Sequence, residues 1–207
     1  MNVIKNIIDE KVYGVVRVAE GDKVVEISEA LIKGGLKTIE IVISNSSVID
    51  AVKFLTSKYD ISIGASGIIT QRQANQAISA GSKFIVSPIF QMNLVKFCQN
   101  NQMPLLNTAT TPNEAYEAWK ARIPLIKIYP AKPMGGAEYI EDLLRPMPFL
   151  HVIATGSIQL DGFTDYFDAG ASAVGIGRAF YKDASPSEVV ERVQTTIATL
   201  NSYIQKQ

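Results

Sequence analysis

Lys127 stands inside the apolar run Leu125, Ile126, Lys127, Ile128, Tyr129, which ends at Pro130. A short apolar run closed by a turn residue reads as a buried parallel strand whose two faces both meet apolar partners. Burial works against an ammonium and for the free amine, the form that adds to a carbonyl. The competing reading is a lysine that reaches solvent at the strand end or pairs with one carboxylate. Glu40 is as out of place in Thr38, Ile39, Glu40, Ile41, Val42, Ile43. Side chains alternate along a strand, so Ile39, Ile41 and Ile43 share one face, with Thr38, Glu40 and Val42 on the other. The same alternation sets Lys127 opposite Ile126 and Ile128, and Arg17 opposite Val16 and Val18. Charges that each strand turns away from its apolar face point to one common interior. A carboxylate and an uncharged lysine sharing a water-poor interior are the parts of Schiff-base chemistry: the amine adds to a ketone and the carboxylate moves the protons.

The elements that must position these residues repeat one unit. Apolar runs at 13–18, 38–43, 61–66, 84–87, 104–108, 125–129, 151–155 and 173–176 alternate with helix-like stretches. Helices are expected over 23–32, 70–80 and 162–169, each followed by glycine suited to a C-terminal cap (Gly34 and Gly35, Gly81, Gly170). Thr111, Pro112, Asn113, Glu114 reads as a capping box with proline at the first helical position, and Ser46, Thr70 and Ser185 are weaker starts. Strand followed by helix, eight times over, with right-handed crossovers predicts a (β/α)8 TIM barrel, with an open doubly wound sheet as the runner-up. The expected organisation is one barrel domain over 1–207 with a short N-terminal helix, compact for a fold of roughly 200 to 400 residues. Arg17, Glu40, Ser66, Lys127, Thr155 and Gly177 then lie at or near the C-terminal strand ends, where such barrels carry their sites. Thr155, Gly156, Ser157 and Gly177, Arg178, after the seventh and eighth runs, occupy the place where these barrels hold phosphate with backbone N–H groups. Arg178 is either a charged clamp on that phosphate or a solvated arginine ahead of the last helix.

Other chemistries lack material. Twenty Lys and Arg balance twenty Asp and Glu without a basic run, so no nucleic-acid partner is expected and a small molecule is. His151 is the only histidine, which leaves no multi-histidine metal site and points to a structural strand-end role. Gly175, Ile176, Gly177 is too short for a dinucleotide fingerprint, and no nicotinamide or other cofactor is expected. Cys98, the single cysteine, excludes an internal disulfide and reads as core filler in a reducing compartment. The first ten residues lack a continuous apolar segment, and nothing approaches the ~18 apolar residues of a membrane span, so a cytoplasmic protein is expected.

From about 15–181 the chain resembles the class I aldolases of 2-keto-3-deoxy-6-phosphogluconate and 4-hydroxy-2-oxoglutarate. Their Schiff-base lysine, followed by an aromatic residue and proline, is matched by Lys127, Ile128, Tyr129, Pro130. The resemblance places the general acid/base on Glu40, the strand-one arginine near the phosphate on Arg17, the Ser-Pro pair on Ser87 and Pro88, and the glycine after strand seven on Gly156. It implies a lyase of carbohydrate metabolism that cleaves a 2-keto-3-deoxy-6-phospho sugar acid to pyruvate and glyceraldehyde 3-phosphate, as a homotrimer. The chain departs from gluconate-type members where they carry an arginine that holds the pyruvoyl carboxylate: it reads Ile43, Ser44, Asn45, Ser46, closer to the galactonate branch. The stretch 136–140 leans the same way. Gly67 replaces a carboxylate-binding threonine, Asn107 and Thr108 replace a Pro-Gly, and Arg178 replaces a serine. The carboxylate contacts are therefore assigned to Ser66, Gly67 and Asn45, with Asn107 as a further amide, and the phosphate contacts to Arg17, Gly156, Ser157, Gly177 and Arg178. A threonine restored at 67 should improve pyruvate trapping if the carboxylate still lies there. The alternatives are a 4-hydroxy-2-oxoglutarate aldolase, or a barrel of altered specificity or without catalysis that binds a phosphorylated small molecule.

Overall fold

The computed structural model describes residues 3–206. Eight parallel strands close into a barrel in sequence order: β1 Val12–Val16, β2 Thr38–Val42, β3 Ser62–Ser66, β4 Phe84–Ser87, β5 Leu105–Ala109, β6 Ile126–Ile128, β7 Val152–Thr155 and β8 Ala173–Ile176. Closure is made by β8 pairing with β1, Tyr13 opposite Gly175. Helix α1 (Val3–Glu10) precedes the barrel; α2 (Gly21–Gly34), α3 (Ser46–Lys58), α4 (Gln71–Ser79), α5 (Met92–Asn100) and α6 (Pro112–Lys120) each follow a strand. Next come α7 (Ala137–Leu144), α8 (Asp165–Asp168), α9 (Arg178–Tyr181) and α10 (Pro186–Ile204). The (β/α)8 barrel expected from the alternation is the fold observed.

Alternation divides the core in two. Outward residues such as Ile39, Ile41, Ile126 and Ile128 pack with the helices in one cluster. Inward Tyr13, Phe84, Val86, Leu106, Leu125, Ile153 and Ala173 form a second cluster, which Val3 and Ile7 of α1 join from below. The N-terminal helix is thus the plug of the barrel floor. Burying Ile7, 1% exposed, contributes about 1.5 to 3 kcal/mol. Small residues leave room for the large ones: a β-carbon on Gly64 would lie 2.3 Å from the Phe84 ring, and one on Gly175 would lie 2.8 Å from the Tyr13 phenol.

Local signals set most boundaries. Thr70, Thr111 and Ser185 close capping boxes with Gln73, Glu114 and Glu188, and Gly35 ends α2 at φ 116°. Three expectations need correction. The stretch 162–169 is helical only over Asp165–Asp168, because Gly162 takes φ 71° and Phe163 turns into the core. Helix α3 is capped by Asn45, one residue before the expected start, because its amide oxygen accepts from the Val48 N–H. Strand β1 ends at Val16, which leaves Arg17 on the loop beyond it. Cys98 is buried and free, its thiol pushed up to about 11 by desolvation, as suits core packing rather than reactivity. Among the described residues, no helix is long and apolar enough to cross a membrane.

Candidate active site

The inward positions above the apolar floor change character. Glu40 from the middle of β2 and Lys127 from the middle of β6 meet across the barrel, Lys127 Nζ donating to Glu40 Oε1 at 2.5 Å. Glu40 is fully buried, whereas Lys127 keeps 6% of its surface open. That surface faces a cavity of about 700 Å³ at the C-terminal ends of the strands. Desolvating an ion costs several kcal/mol, and removing one member of a buried pair leaves the other uncompensated. The sequence therefore places a costly pair where a ligand can reach its cation.

A third group completes the floor. Tyr13, 1% exposed on β1, donates its hydroxyl to Glu40 Oε2 at 3.1 Å. Desolvation, then the Glu40 charge and the hydrogen bond itself, hold the phenol well above its ordinary range, so it stays a protonated donor. Each carboxylate oxygen of Glu40 thus has its own donor. Tyr13 is not legible as a site residue in the sequence, because a tyrosine in an apolar run reads as core and its place opposite Gly175 is set only when the barrel closes.

The cavity collects nearly all the residues picked out by sequence. Lys127, Glu40, Ser66, Gly67, Arg17, Gly156, Ser157, Gly177 and Arg178 line it, with Pro88, Tyr129 and Thr155. Asn45 does not, and its assignment to a substrate carboxylate is corrected. Its Oδ1 caps α3 and accepts from Ser47 Oγ, and its Nδ2 donates to the Ala19 carbonyl at 2.8 Å, so the amide is spent on loop structure. Asn107 is also turned away: Leu106 and Thr108 take the inward positions of β5, and the Asn107 amide donates to the Thr108 carbonyl. Ser87 likewise points away from the cavity and donates to the Ile89 carbonyl. Gly67 sits at φ 80°, a left-handed conformation with the Ile43 carbonyl 3.3 Å from where a β-carbon would stand. A β-branched threonine is an outlier at such a backbone, so the expected gain from Gly67→Thr is reversed.

Thr108 also lines the cavity, as do Thr110, Gln159 and Tyr181, which the sequence does not single out. The Tyr181 hydroxyl accepts from the Arg17 backbone N–H at 3.1 Å. Burial raises this phenol, and the Arg17 hydrogen bond and the charges of Arg178 and Arg17 offset part of the rise. Arg17, Arg178 and Tyr181 all line the cavity. Among the described residues, no group of three or more His, Cys, Asp or Glu side chains is placed to hold a metal ion.

Solved structures share this architecture. An aldolase from Legionella pneumophila, with pyruvate captured at low pH as a covalent carbinolamine intermediate, is 23% identical with TM-score 0.79, covering 90% of this chain and 93% of that one. The 2-keto-3-deoxy-6-phosphogluconate aldolase of Zymomonas mobilis with 3-phosphoglycerate is 20% identical with TM-score 0.85, covering 96% of each chain. These likenesses carry the fold. In sequence, the 2-dehydro-3-deoxy-phosphogluconate aldolase of Haemophilus influenzae is 29% identical over 165 residues, 79% of this chain and 78% of that protein. The model of one aldolase family, described as KDPG and KHG aldolase, matches residues 3–195, the whole span from the floor helix into α10; the chain belongs to that family.

Proposed function

We propose that this barrel is a class I aldolase that cleaves a 2-keto-3-deoxy-6-phospho sugar acid to pyruvate and glyceraldehyde 3-phosphate through a Schiff base on Lys127. The observation that carries the reading is the buried contact between Lys127 and Glu40, both in the wall of the cavity, with exposed surface only on the lysine. Glu40 takes a proton from the ammonium, and the free amine adds to the C2 ketone. The carbinolamine hydroxyl leaves as water with the proton that Glu40 returns. Glu40, directly or through a water, then takes the proton of the C4 hydroxyl. The C3–C4 bond breaks, its electron pair moves into the iminium, and the aldehyde departs. Protonation of the enamine at C3 and hydrolysis release pyruvate and restore the lysine. No step asks for a metal.

The ends of the substrate are assigned by charge and backbone. Ser66 and Gly67, beside Glu40 on the adjoining strand, take the pyruvoyl carboxylate. Arg17, Gly156, Ser157, Gly177 and Arg178 take the phosphate at the opposite rim, and the two arginines lining the cavity there support that end. The relatives named for phosphogluconate and the neighbours solved with pyruvate or 3-phosphoglycerate fit the same two ends. A barrel that merely held a phosphorylated ligand would gain nothing from a desolvated lysine and carboxylate, which favours catalysis over binding alone. Family membership supports a homotrimer and a place in cytoplasmic carbohydrate metabolism; light scattering tests the first. The reading as a whole is tested by borohydride reduction in the presence of pyruvate, followed by peptide mass mapping. The adduct is expected on the peptide that contains Lys127. Folded protein without any adduct at saturating pyruvate overturns the aldolase.

A further inference from the structure

Glu40 is asked to change partners during the reaction, and one of its two contacts does not take part. Its Oε1 faces Lys127, whose nitrogen turns to the substrate carbon once the Schiff base forms. Its Oε2 faces the Tyr13 hydroxyl, beneath the cavity and out of reach of any ligand. We propose that Tyr13 is the positioning residue of this site, the donor that keeps the Glu40 carboxylate in place after Lys127 has been consumed by the substrate. The inference rests on the reading of Glu40 as the proton carrier.

Several observations carry it. Tyr13 is enclosed by the floor cluster of Phe84, Leu106, Leu125 and Ile153, so its ring cannot swing away. The strand opposite it is cut back to Gly175, where a β-carbon would stand 2.8 Å from both the phenol oxygen and Cζ. The space that the hydroxyl needs is therefore provided by the neighbouring strand. A phenylalanine there would fill the same volume without a buried polar atom, and the carboxylate oxygen beneath the cavity would lose its donor. A proton carrier held from behind keeps its free oxygen aimed at successive atoms, first the lysine nitrogen, then the substrate oxygens.

The role predicts effects on proton transfer without loss of binding. In Tyr13→Phe, kcat is expected to fall about tenfold or more, the scale of a hydrogen bond to a charged group, while KM changes about twofold or less. Reduction with pyruvate still labels Lys127. In a Glu40→Gln background the same substitution adds nothing, because the group it positions no longer carries protons. Gly175→Ala, which presses a methyl group on the phenol without removing its hydroxyl, gives the same fall in kcat with little change in KM. Equal losses in both backgrounds would mark Tyr13 as packing only, and a parental kcat in Tyr13→Phe beside a crippled Glu40→Gln would overturn the proposal outright. Parental turnover in Glu40→Gln removes the proton carrier itself, and the proposal falls with it by a different signature.

Discussion

Gly156 passes so close to the loop after β6 that a β-carbon on it would lie 2.8 Å from Pro130 Cα and 3.0 Å from Tyr129 Cδ2, and its own φ is 102°. The glycine after the seventh strand therefore shapes the loop that follows the lysine strand. The Ala131 N–H donates to the Thr155 carbonyl at 2.7 Å, locking the two loops together. Gly156→Ala meets both a disfavoured backbone and a neighbour that is main chain, and should cost roughly 2 to 3 kcal/mol. Urea unfolding should show the loss, and kcat should fall with it because Lys127 is three residues from the displaced proline.

The Lys127 and Glu40 pair makes paired predictions. Lys127→Arg and Lys127→Ala should both abolish trapping, since a guanidinium stays charged and does not add to a ketone. Lys127→Ala should also destabilise the fold by about 3 to 5 kcal/mol, because Glu40 is left buried without its cation. Adding Glu40→Gln to it should recover much of that loss in chemical denaturation. By itself Glu40→Gln should keep the barrel and lower kcat by about 10²- to 10⁴-fold, the range of a general acid/base. Unchanged turnover would hand its role to a water or a substrate group.

The interior charges were legible because a strand has a period of two: once Ile39 and Ile41 face the helices, Glu40 has only the barrel to enter, and the same holds for Lys127. Capping boxes were equally legible, being local chemistry closed within four residues. Asn45 was misread because an asparagine beside a site and an asparagine capping a helix look alike until the Val48 N–H is placed. Tyr13 was missed for the complementary reason. Its partner lies twenty-seven residues away, on a strand whose register is set by closure of the whole barrel rather than by any local pattern.

Position 67 tests whether the carboxylate end has been rebuilt on glycine. At φ 80°, with the Ile43 carbonyl in the way, Gly67→Thr should lower both stability and pyruvate trapping, and Gly67→Ala should do so less. Improved trapping by the threonine variant would mean that the loop can leave the left-handed conformation at little cost. The carboxylate would then be held by side chains there, and not by the backbone around Ser66.

At the other end, Arg178 is exposed while lining the cavity. Its charge should therefore act chiefly on capture. Arg178→Ala is expected to raise KM several-fold with a smaller change in kcat, the mark of uniform binding. Sulfate and inorganic phosphate should compete with substrate, and added salt should weaken the parent more than the variant. Dephosphorylated substrates that react as fast as phosphorylated ones would remove the phosphate from the assignment.

Beneath the site, the plug helix carries its own pH dependence. Glu10 ends α1 with its Oε2 buried beside the Thr38 hydroxyl of the barrel floor. Desolvation raises this carboxyl above its usual range, only partly offset by the nearby Thr38 hydroxyl and Lys37 charge. The folded state thus holds the Glu10 proton more tightly than the unfolded chain does. Its contribution to stability is complete below the unfolded value near 4.5 and is lost as pH rises through the raised folded value. Glu10→Gln removes the ionisation while keeping the shape, so the variant should gain on the parent as pH rises from 4 towards 7, with little difference at the acid end. Urea midpoints measured across that range decide the matter. A gap that is constant with pH would mean that Glu10 titrates alike in the folded and unfolded chains, and that the floor of the barrel is open to water.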